Sequence, residues 1–150
     1  IPSVQPTHAT SDMEWADERL GEDRITTAYT FKELLDWSGK VALGTDFPVE
    51  KVNPINTFYS AVARRDTEGK PTGGYQMDNA LSRSETLKGM TIWAAYANFE
   101  EEQKGSIEVG KVADLVLITE DIMTINESAI LSAEILATIV DGNIVYQRKQ

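Results

Sequence analysis

The chain has 150 residues, 41% of them hydrophobic and 25% charged, which is a globular composition and enough length for one ordinary domain with a buried core. Asp and Glu outnumber Lys and Arg by 24 to 14, and the net charge of −10 argues against nucleic acid as the main partner, because phosphate binding needs clustered cations. With no cysteine, thiolate chemistry, disulfides and cysteine-based zinc sites are excluded; no apolar run approaches the ~20 residues of a membrane helix and no signal peptide is visible, so a soluble chain of cytoplasm or periplasm is expected, with no membrane partner.

The chain opens on Ile1-Pro2-Ser3-Val4, without an initiator Met and already inside an apolar run, which predicts a fragment or a processed product. Ile1 to Thr7 reads as a short buried strand. Ser11 with Glu14, Thr30 with Glu33, and Ser82 with Glu85 each have the spacing of a capping box, in which a hydroxyl and a carboxylate three residues on satisfy the free N–H groups of a helix start. The first predicts a short helix carrying Met13, Ala16 and Leu20 and stopped at Gly21. The second predicts a helix with Phe31, Leu34 and Leu35 inward and Gly39 just past its end. Val41 to Thr45 is a compact apolar strand, so helix, glycine turn and strand alternate as in a parallel sheet.

Asn53-Pro54 predicts an N-cap and a first helical position, with Ile55, Phe58, Tyr59 and Val62 as the apolar stripe and Arg64 and Arg65 suited to the negative C-terminal end. Residues 66–80 read as a polar loop, and the third box predicts a longer helix to about Asn98 with Leu87, Met90, Ala94 and Ala97 along one side. From Lys104 the pattern changes. Ala113 to Thr119 reads as a strand, and Asp141-Gly142-Asn143 between two apolar runs predicts a hairpin. The tail is therefore antiparallel β and the part before it α/β.

Two residues stand out as carriers of chemistry. Asp46 directly follows the apolar strand Val41–Thr45 and precedes Phe47-Pro48; a carboxylate at the C-terminal end of a parallel strand sits where α/β folds place reacting groups, although the same residue could simply cap a turn. His8 is the single histidine, placed by its sequence at the end of the first strand, and a lone histidine is more often structural than a ligand. One histidine and one aspartate fall short of the three protein ligands of a hydrolytic zinc site. No nucleophile elbow, P-loop, dinucleotide fingerprint or His-Glu-x-x-His is present. Trp15, Trp37 and Trp93 read as packing residues, with Trp15 near enough to His8 to face a cleft.

Four stretches occur in order: Gln5-Pro6-Thr7-His8-Ala9-Thr10-Ser11-Asp12-Met13, Leu43-Gly44-Thr45-Asp46-Phe47-Pro48-Val49-Glu50, Lys104-Gly105-Ser106 through Ala113-Asp114-Leu115-Val116-Leu117, and Val140-Asp141-Gly142-Asn143-Ile144-Val145-Tyr146. Together they resemble the C-terminal third of the amidohydrolase superfamily, in its long YtcJ-like branch of metal-dependent hydrolases. The resemblance implies an α/β chain forming the C-terminal portion of a (β/α)8 TIM barrel, residues 1–103, with Ile1–His8 as the seventh strand and Val41–Thr45 as the eighth. Residues 104–150 would supply the C-terminal strands of a small β-sandwich. It further implies that Asp46 binds a divalent metal, zinc foremost, and handles protons in hydrolysis of a small-molecule amide-type substrate, while His8 faces the substrate.

The family's His-x-His, its bridging acid and its later metal-binding histidines are missing from these 150 residues. The expectation is a piece that holds no metal and is inactive alone, with the N-terminal part of the same enzyme, or further copies of itself, as partner. The alternative is a non-enzymatic α/β module that works by association or as a binding domain.

Overall fold

The computed structural model describes residues 1–149. Two short strands, β1 (Ser3–Val4) and β2 (Ala42–Leu43), run parallel with Ser3 opposite Ala42 and Val4 opposite Leu43. Backbone bonds from Ala42 N–H to Pro2 O and from Gly44 N–H to Val4 O extend the pairing at each end. The expected strands over 1–7 and 41–45 are thus present, adjacent and shorter.

Their connection is helical. Helix α1 (Pro6–Asp12) starts at Pro6, whose fixed φ and missing N–H suit a first helical position, after an extended Gln5. His8 therefore lies in the first turn of a helix, not at the end of a strand, and Ser11 lies inside α1 instead of capping a later helix. Helix α2 (Ala16–Ile25) is broken at Gly21, which has non-helical backbone angles, and α3 (Phe31–Ser38) ends at Gly39. Leu34, expected inward, is exposed, and Trp37 is 85% exposed, so it is no packing residue.

Helix α4 (Pro54–Ala63) begins at Asn53, whose side chain accepts the Ile55 N–H. The Ser82 and Glu85 pair forms a true capping box for α5 (Arg83–Met90). The single helix expected to Asn98 is broken at Thr91, where the hydroxyl donates to Leu87 O, and continues as α6 (Ile92–Ala97). Leu87 is exposed, against expectation. At Gly89 a Cβ would meet the Leu43 side chain and the Val41 carbonyl, so a glycine lets α5 approach β2 closely.

A three-stranded antiparallel sheet closes the chain: β3 (Leu115–Ile118), β4 (Ile135–Val140) and β5 (Asn143–Gln147), in that order. Asp141 and Gly142 both have positive φ, the requirement of the two-residue turn that joins β4 to β5. Two apolar clusters hold the molecule together. One gathers Ala9, Phe31, Leu35, Val41, Leu43, Ala61 and Leu81 around the parallel pair. The other packs Ile55, Phe58, Tyr59 and Ala63 of α4 against Ile122, Ile130 and Ala133, and Met90 touches both. No helix among the described residues is long and apolar enough to cross a membrane.

Candidate active site

Because β1 and β2 are parallel and in register, the segments leaving them emerge on the same side. The chain turns into α1 two residues after Val4, which sets His8 above the end of β1. It leaves β2 through Gly44-Thr45 into a tight turn in which Thr45 Oγ1 accepts the Phe47 N–H and Asp46 O accepts the Val49 N–H, at 3.2 and 2.8 Å. Asp46 takes φ 55°, the left-handed region that aspartate tolerates better than most residues.

These two departures bring the sequence candidates together. His8 Nε2 lies 3.9 Å from Asp46 Oδ2, too far for a hydrogen bond and close enough for a shared ligand or an ion pair when the imidazole is protonated. The Asp46 side chain is half exposed, whereas the His8 Nε2 atom is buried and has no hydrogen-bond partner in the protein. A buried nitrogen without a partner, turned toward a carboxylate, fits a place where a polar ligand is received.

A second contact, which the sequence pattern does not announce, joins the same two segments. The Ser11 hydroxyl, one helical turn beyond His8, donates to Glu50 Oε1 at 2.6 Å, four residues beyond Asp46. Beside it lies a small cavity of about 130 Å³ bordered by Thr7, Thr10, Asn56 and Ser60, with Thr10 Oγ1 and Ser60 Oγ 3.2 Å apart. The signal was available: Ser11 follows His8 at helical spacing and Glu50 closes the stretch that begins at Leu43. The capping-box spacing of Ser11 and Glu14 conceals it.

Among the described residues no three His, Cys, Asp or Glu side chains converge to hold a metal ion. A hydrolytic metal centre takes about three protein ligands. Among the described residues, Asp46 has no such set of ligating side chains around it.

The family model described as amidohydrolase family matches residues 1–146. This chain belongs to the amidohydrolase family. It is 32% identical over 145 residues to the YtcJ amidohydrolase of Bacillus subtilis (strain 168), covering 97% of this chain and 27% of that one. It is 31% identical over 120 residues to the N-substituted formamide deformylase of Arthrobacter pascens, covering 80% and 22%. Among solved structures it superposes on a metal-dependent hydrolase from Pyrococcus horikoshii OT3 with a TM-score of 0.70 at 29% identity, covering 83% of this chain and 25% of that one. The chain thus spans about a quarter of the length of these amidohydrolase-type proteins.

Proposed function

We propose that this chain is the C-terminal part of a metal-dependent amidohydrolase that hydrolyses C–N bonds of amides or cyclic amides, and that it is inactive alone. The observation that carries the reading is the convergence of Asp46 and His8 at the C-terminal ends of two adjacent parallel strands. Residues 1–103 are read as the last barrel strands and helices and 104–150 as the sandwich segment, of which Gln150 lies outside the described residues.

A divalent metal, zinc in this reading, would be held in part by Asp46 and would supply an acidified water for attack on a carbonyl carbon. The half-exposed Asp46 carboxylate faces open space, where it would accept a proton and return it to the departing amine. His8 faces the substrate, its unpartnered Nε2 available for a substrate oxygen or N–H. The deformylase among the relatives acts on an N-substituted formamide by its name, which supports the amide class for the whole enzyme.

The partner in this reading is the remainder of the same enzyme or further copies of this chain. The test is Asp46→Asn in the complete enzyme: turnover falls severely while the fold survives. Turnover near that of the parent would remove Asp46 from the mechanism.

A further inference from the structure

The contact between Ser11 and Glu50 joins the two segments that carry His8 and Asp46, and it does so one step behind them. On α1, Ser11 follows His8 by three residues, so both side chains lie on one face of the helix. In the loop from Gly44 to Asn53, Glu50 follows Asp46 by four residues. The carbonyl of His8 is itself 3.4 Å from the Ser11 hydroxyl, a longer alternative to the 2.6 Å bond with Glu50 Oε1. A hydroxyl bound to a carboxylate is a charge-assisted bond, shorter and stronger than a neutral one.

The rest of that loop is held at its ends. Gly44 N–H bonds back to Val4 O, and Asn53 caps α4 through the Ile55 N–H. Between these anchors the Asp46–Val49 turn is closed on itself, and Phe47, Val49 and Val52 are exposed and pack on little. His8 and Asp46 do not hydrogen-bond each other, so their 3.9 Å separation is not self-maintained.

We infer that Ser11 and Glu50 are positioning residues: their bond latches the loop that carries Asp46 onto the helix that carries His8. The inference rests on the proposed role of Asp46 and adds residues that act through it. Glu50 touches neither reacting group; its carboxylate acts as an acceptor for Ser11, a task that the oxygen of an amide in its place also performs, with a somewhat weaker bond.

Four variants test this: Ser11→Ala, Glu50→Ala, the double variant, and Glu50→Gln, whose amide oxygen still accepts from Ser11. Hydrogen–deuterium exchange over 44–53 is followed, and kcat and KM are measured, in the complete zinc-loaded enzyme. Each alanine variant is expected to speed exchange over 44–53 and to lower kcat on the order of tenfold or more with KM nearly unchanged, since small displacements of a reacting group are costly. The double variant should be no worse than either single one, because both remove the same bond. Glu50→Gln should recover most of the loss.

Unchanged exchange, additive losses in the double variant, or a Glu50→Gln as impaired as Glu50→Ala would each overturn the latch. Failure of the underlying reading has a different signature: Asp46→Asn would retain turnover while the exchange results still decide whether the loop is latched.

Discussion

At Asp46 the backbone φ of 55° suits asparagine as well as aspartate, since both tolerate the left-handed region. Asp46→Asn therefore keeps the turn and the shape of the side chain while removing the negative charge and the capacity to accept a proton. General acid–base groups are worth about 10²–10⁴ in rate, and a loss in that range with an unshifted melting transition is the expected result. The position of Asp46 was legible because it directly follows a compact apolar strand. That of His8 was legible only in part. Its residue type marked it, but Pro6 starts a helix where an extended run was expected, so His8 reaches the site from a helical turn. The place of Arg64 at the C-terminal end of α4 was legible, but its burial was not. Read as a cation at a helix end, it is fully buried, with its guanidinium beside the rings of Phe31 and Tyr75. Its Nε donates to Tyr75 O at 2.8 Å and one Nη to Gln76 Oε1 at 3.2 Å. Burial pushes its pKa down to about 10, so it stays charged at neutral pH. Its partners lie in the stretch read as plain polar loop, where local pattern says nothing about what folds back.

At the scale of elements, the three capping-box spacings show what a spacing can and cannot specify. Ser82 is extended, at φ −63° and ψ 158°, and makes both reciprocal bonds. Thr30, at ψ 57°, makes no side-chain cap, and Ser11 was pre-empted by the helix that Pro6 had already begun. Glu85 also bridges helices, accepting from Lys32 Nζ of α3 at 2.8 Å. Burial works to raise its pKa, but the bonds from Lys32 and Ser82 prevail and hold its carboxyl below the ordinary carboxylate range. A depressed folded-state pKa contributes stability that is complete above the unfolded value and is lost as pH falls through the folded one. Melting temperature followed from neutral pH to about pH 3 should therefore drop more steeply in the parent than in Glu85→Gln, by on the order of 2–3 °C. Parallel curves would show that the bridge adds nothing.

For the molecule as a whole, the alternation of helix and strand before Lys104 and the hairpin after it were legible, because periodicity and turn chemistry are local. What covers the strands was not. The parallel sheet has two strands and so two outer edges, and β3 to β5 expose Val116, Leu117, Ile144, Val145 and Tyr146. Parallel strands are normally buried on both faces, and open edges beside apolar side chains invite pairing. The net charge of −10 resists this only partly, since screening at physiological salt acts over ~8 Å. Sedimentation of the dilute chain should accordingly show species larger than a monomer; a single sharp monomer boundary would mean that the chain covers itself.

In the function proposed above, this chain contributes one carboxylate, Asp46, to a metal centre whose other ligands lie outside it. The most direct measurement is metal analysis of the purified 150-residue chain after dialysis with excess zinc and removal of the free ion, with hydrolysis of a simple amide assayed on the same sample. Well under one zinc per chain and no turnover is the expected result, given that no three ligating side chains converge among the described residues. One tightly held zinc per chain, with measurable turnover, would contradict it.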